Sequence, residues 1–167
     1  MSSDVTSTAV PGRPIAPEVQ QQRDRLRDAM VLLEDALAAP SAVRFSAWSF
    51  SAVAATDSIR AALHRHQEVT EAPDGLLRDI VAAAPQLEHA VAAVREEHDA
   101  IEQLLEQLAV AVSALPEGQD LPITAVADSV EHVRRIGREL LALLVHHRQK
   151  GIELTYQAFS SDLGSGD

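Results

Sequence analysis

Seven histidines, His64, His66, His89, His98, His132, His146 and His147, are the residues of this chain whose type could do chemistry. Cysteine is absent, which excludes disulfides, thiolate metal sites, a thiol nucleophile and thiol redox switching together. Any metal must therefore be held by imidazole, carboxylate or water. Neutral imidazoles on facing helices can hold iron, zinc or copper, because each helix supplies one ligand at a defined height.

Spacing decides which histidines can cooperate. Between residues 85 and 115 a 4-3 alternation runs Leu87, Val91, Val94, His98, Ile101, Leu105, Leu108, Val112, Leu115, a helical stripe with one imidazole in it. Between 122 and 159 the same alternation gives Val126, Val130, Val133, Gly137, Leu140, Leu144, His147, Gly151, Leu154. The stretch 41–70 yields Trp48, Ala52, Ala55, Ile59, Ala62, His66, Val69. Three helices thus turn one histidine each inward: His66, His98 and His147. Glu102, one turn after His98 on the same face, is the carboxylate that can share an ion with it. His64 with Glu68, and Glu68 with Glu71, lie beside the stripe, and His89, His132 and His146 are expected on the surface. The first helical stretch has an apolar stripe of Leu26, Met30, Leu33 and Leu37, with Gln22 as its nearest polar continuation. Height is a difficulty. His98 precedes Leu115 by 17 residues and His147 follows Pro122 by 25. At 1.5 Å per residue the two differ by about 12 Å unless the connection runs back along the last helix.

The elements that must position these residues are helices. The chain has 167 residues, about one domain's worth, and 46% are hydrophobic. Alanine accounts for 28 of these and aromatics for only five, so an all-β fold is disfavoured. Residues 1–16, rich in Ser, Thr, Pro and Gly, are expected to form a disordered arm. Helices are predicted over 17–39, 41–70, 85–115 and 122–159, with a connector helix at 76–84; Pro17, Pro40, Pro73-Asp74-Gly75, Pro85, Pro116 and Pro122 mark the breaks. The expected fold is an all-α, antiparallel four-helix bundle over 17–160, with a flexible tail at 161–167. Gly137 and Gly151 read as close-packing points, with a cofactor beside Gly151 as the functional version. Phe45, Trp48 and Phe50 are expected to cap one end of the core, and Arg95-Glu96-Glu97 to form a solvated face.

Composition also limits partners. A formal charge of −11 opposes nucleic acid and anionic lipid. No apolar run approaches a membrane span, and 1–16 lacks the pattern of a secretory signal, so a cytoplasmic location is expected. Thirteen arginines against one lysine, Lys150, with abundant alanine suggest a high-GC bacterial source. Phosphate loops, the G-x-S-x-G elbow and H-E-x-x-H are missing, and no nucleophile or acid–base pair stands out, which argues against an enzyme.

The segments His64-Arg65-His66-Gln67-Glu68, Arg95-Glu96-Glu97-His98-Asp99 and Leu144-Val145-His146-His147-Arg148, with Glu153 after them, resemble the hemerythrin-like (HHE cation-binding) family over residues 17–160. The resemblance implies a four-helix bundle whose His and carboxylate side chains hold iron, for binding oxygen or nitric oxide, for redox sensing or for metal buffering. It assigns His66, His98 and His147 as counterparts of ligands on the second, third and fourth helices. The first helix has no histidine, and Thr70 and Gly151 stand where the family pattern places Glu, so a divergent member with a reduced site is implied. Two readings follow: a metal-binding bundle using His66, His98, Glu102 and His147, with a metal ion or a diatomic gas as its partner, or a metal-free helical interaction or structural protein, for which a homo-oligomer is one form.

Overall fold

The computed structural model describes residues 16–41, 44–116 and 122–160, and over these the chain is all-helical with no strand. Its helices are α1 (Pro17–Ala38), α2 (Phe45–Thr70), α3 (Leu76–Ala83), α4 (Glu88–Ser113) and α5 (Ile123–Ser160), with one 3-10 turn at Pro85–Leu87 before α4. Each lies where the apolar periodicity places it. Pro17 opens α1 where a missing N–H costs nothing, and Pro40 follows its end. Most of the arm expected at 1–16 and the whole tail at 161–167 lie outside the described residues.

α1 packs along α2, α2 against α4, α4 along α5, and α5 returns to α1, while α3 sits against α4 and α5. The buried residues form two apolar clusters. The larger includes Leu26, Leu33, Ile59, Leu63, Ile101, Leu108, Leu140 and Leu144. The smaller holds Val19, Leu76, Leu77, Ile80, Val91, Val94 and Leu154. Between them lies a buried amide or imidazole from each long helix, with Thr56, Thr70 and Thr155 as further buried polar side chains on α2 and α5. Gln22 lies between Val19 and Leu26, His66 follows Leu63, His98 lies between Val94 and Ile101, and His147 between Leu144 and Leu154. The histidine stripes of the sequence therefore mark a polar layer that divides the core.

Local contacts fix the helices that carry this layer. At the α2–α3 turn a Cβ on Gly75 would stand 2.7 Å from the Val69 and Thr70 carbonyl oxygens, so only glycine lets the chain fold this closely onto the end of α2. Gly137 is a true close-packing point, since a Cβ there would meet Leu37 Cδ1 at 2.6 Å. Arg134 donates to the Leu37 and Ala39 carbonyls at 2.9 Å each, closing the end of α1, and lies over the Trp48 ring at 5.8 Å. Trp48 is buried and stacks on Phe45, but Phe50 is 77% exposed, so the expected aromatic cap has two members. Phe50 is two residues on from Trp48, about 200° round the helix, which turns it to solvent. Among the described residues no helix is long and apolar enough to cross a membrane.

Leu140→Ala should lower stability by about 2–5 kcal/mol, because Leu140 is fully buried in the larger cluster and a cavity would remain. Gly137→Val should cost about 1–3 kcal/mol by overpacking against Leu37. Denaturant midpoints of the two variants check both values.

Candidate metal centre

His66, His98 and His147 meet in the polar layer, and their ligand atoms all lie within 4.8 Å of one another. His98 Nε2 is 3.1 Å from His147 Nε2, which is 3.4 Å from His66 Nε2. All three rings are buried, at 7%, 2% and 2% exposure. His64, His89, His132 and His146 are exposed, as their positions off the stripes predict.

The 12 Å difference in height expected for His98 and His147 is not found. That estimate set the top of α4 level with Pro122. Instead Ala114 and Ser129 border one surface recess, and the turns of α5 before Ser129 are largely exposed. His98 lies sixteen residues back from Ala114 and His147 eighteen on from Ser129, so the two fall within a turn of each other.

Carboxylates orient two of the imidazoles from behind. His98 Nδ1 pairs with Glu71 Oε1, and His147 Nδ1 lies 3.2 Å from Glu97 Oε2. A carboxylate only accepts hydrogen bonds, so each of these Nδ1 atoms carries the proton, and in the neutral ring the lone pair falls on Nε2. Two lone pairs then face each other at 3.1 Å in a buried layer. His66 can donate Nε2–H to His147, but this leaves the His98 lone pair opposed. His66 Nδ1 is itself buried without a partner among the described residues.

Electrostatics keep His66 and His147 unprotonated. Burial pushes the His66 pKa down to about 3, reinforced by His147, His98 and Arg23. Burial and His98 push His147 down to about 4, against the opposing pull of Glu97. Burial acts to raise the Glu97 pKa, but hydrogen bonds from Lys150 Nζ, at 2.7 Å, and from His147 outweigh it and hold the carboxyl below its ordinary value.

Glu97 was no candidate in the sequence, and Glu71 stood there only as a partner of Glu68 beside the stripe. Glu71 caps the C-terminus of α2, beyond the reach of helical periodicity. Glu97 sits one residue before His98, on a flank that reads as solvated face until Lys150 and His147 of α5 cover it; its side chain is 15% exposed. Glu102 is exposed and borders a surface groove with Glu71, and its carboxylate is not among the converging ligand atoms.

A cavity of about 120 Å³ opens onto the three imidazoles, with Gln20, Arg23, Asp24, Arg148 and Ile152 toward solvent and Leu76, Leu77, Ile80 and Leu154 as apolar wall. Gly151 lines it, and a Cβ there would meet nothing within 4 Å. Gly151 is therefore no packing point; α5 faces open space at this residue. No protein-family model, curated protein sequence or solved structure matches this chain.

Acid should destabilise the metal-free protein through this layer. The pKa values of His66 and His147 are lowered from 6.5 to about 3 and about 4, so the unfolded chain binds protons that the folded chain refuses. The resulting stability is full above about pH 6.5 and is lost as pH falls from there toward the folded values. Denaturant midpoints should fall between pH 7.5 and 5, and His66→Gln should flatten the slope; a midpoint flat across this range would contradict the account.

Proposed function

We propose that this chain is a metal-binding protein that holds one iron ion through His66, His98 and His147, in an antiparallel four-helix bundle divergent from the hemerythrin-like family. The observation that carries the reading is the convergence of three buried Nε2 atoms. Two nitrogens each about 2.0–2.1 Å from a zinc ion would stand about 3.3 Å apart in tetrahedral geometry; the 3.1 and 3.4 Å separations lie on either side of this value, which supports a metal ion, and the choice of iron rests on the family resemblance. Glu71 and Glu97 supply the carboxylate support on Nδ1 that metal-bound histidines use to fix tautomer and ring orientation. A shared cation also removes the opposition of lone pairs.

Among the described residues no carboxylate joins the converging atoms, which favours one ion over a bridged pair. When bound by three imidazoles, iron supplies a Lewis-acidic, redox-active centre with coordination positions left over. The protein's own contribution is to hold the rings, keep them neutral and leave the adjoining cavity as access for a small ligand such as a diatomic gas. A role in gas or redox sensing or in metal buffering is the reading that the family resemblance and this site support.

Protein purified without chelator should contain one iron per chain. His98→Ala or His147→Ala should abolish it, and Glu97→Gln should weaken affinity by about 10–100-fold. Adding ferrous iron to apoprotein at a hundred times Kd should stabilise the fold by about 2.7 kcal/mol. Stoichiometric zinc in place of iron would correct the ion but not the site. A metal-free protein whose melting temperature ignores iron, zinc and cobalt would defeat the reading in favour of a metal-free interaction protein. Glu102→Gln tests the remaining carboxylate, and unchanged affinity leaves it outside the site.

A further inference from the structure

The cavity beside the imidazoles carries features that metal binding does not explain. Arg23, on α1, is half-buried and reaches across to α5, where its Nη2 donates to Thr155 Oγ1 at 2.9 Å and to the Gly151 carbonyl at 3.3 Å. Burial and the nearby Arg148 both lower the Arg23 pKa, so two guanidiniums stand close to each other at one opening. Neither has a carboxylate partner among the described residues. Asp24 shares the opening, but its Oδ1 is taken by Gln20 at 3.3 Å and by Arg27 at 3.5 Å. Behind the arginines the wall is apolar, formed by Leu76, Leu77 and Ile80 of α3 with Leu154 of α5, and Gly151 leaves room along it.

Paired cations at the mouth of an apolar cavity suit a ligand that is anionic at one end and apolar at the other. A planar guanidinium matches a carboxylate through parallel N–H donors. Size restricts the ligand further: with a single water needing about 10–15 Å³, a volume of about 120 Å³ admits roughly eight to twelve non-hydrogen atoms, short of a nucleotide.

We propose that this cavity binds a short-chain monocarboxylate, its carboxylate held by Arg23 and Arg148 and its hydrocarbon tail lying against Leu76, Leu77, Ile80 and Leu154 toward the three histidines. The site goes beyond metal binding and does not need the ion, so either can fail without the other. It gives the metal centre a neighbour whose tail, not its charged end, approaches the imidazoles.

Butyrate is the probe, titrated into the isotope-labelled full-length protein as purified and followed by amide chemical shifts. Saturable shifts are expected for Arg23, Leu77 and Gly151. Butylamine, with a similar tail and the opposite charge, should produce none of them. Arg148→Gln, a change at a half-exposed side chain, should raise the butyrate Kd at least tenfold while the remaining spectrum shows the fold intact. Gly151→Leu should block the cavity by filling the open space. Absence of saturable shifts with butyrate, equal binding of butylamine, or an Arg148→Gln Kd within twofold of the parent would each overturn the proposal.

Discussion

Three imidazoles brought together inside a hydrophobic core, two of them with Nδ1 held by a carboxylate, form the constraint to which the rest of this structure answers. The rings are buried, so a lone pair without a proton or a cation in front of it carries a desolvation cost. Protonation of His66 or His147 does not relieve it at neutral pH, because burial and mutual repulsion hold their pKa values far below 6.5. The surrounding groups reinforce this arrangement. Glu71 and Glu97 fix protons on the outer ring nitrogens and so direct the bare ones inward. A cation shared by the three rings satisfies every element of the arrangement except the orphaned Nδ1 of His66.

The fold bears the cost of this polar layer by splitting its core. Apolar clusters on either side supply the burial, and each long helix places one amide or imidazole between them. Such a division is tolerable because the clusters are themselves well filled, with Leu26, Ile59, Ile80, Ile101, Leu108, Leu140 and Leu144 fully buried. Close approach at Gly137 and the hydrogen bonds of Arg134 to the end of α1 hold α1 and α5 together in the larger cluster. Near the histidines, Arg23 makes the corresponding link between the same two helices. The layer thus lies between two fixed ends, which is what lets three side chains from three helices bring their ligand atoms within 4.8 Å of one another.

Charge is distributed unevenly around the layer. Arg23 and Arg148 stand at the opening between α1 and α5, whereas Glu68, Glu71, Asp99 and Glu102 border the groove on the α2–α4 side, together with His64 and Arg95. The backs of His98 and His147 therefore look toward carboxylate and the cavity side toward guanidinium. This polarity follows from which helix flank each side chain leaves by, and it gives the centre one face that favours cations and one that favours anions.

Helix positions, the inward direction of His66, His98 and His147 and the outward direction of the other four histidines were all legible in the sequence, because helical periodicity is a local property that a stripe of apolar residues records. Even Gln22 stood out as the polar continuation of the first stripe. What the sequence could not contain was height and flank. Whether His98 meets His147 depends on how far α5 extends beyond the end of α4, which no spacing within either helix encodes. Glu97 looks like one more surface acid until Lys150 and His147 close over it, and Glu71 lies past the last helical residue of α2, where periodicity stops. Gly137 and Gly151 read alike on one stripe, yet one meets Leu37 and the other faces open space. Local sequence determined which side chains point into the core; the packing of one helix on another decided which of them touch, because contact depends on the relative displacement of helices and not on the pattern within any one of them.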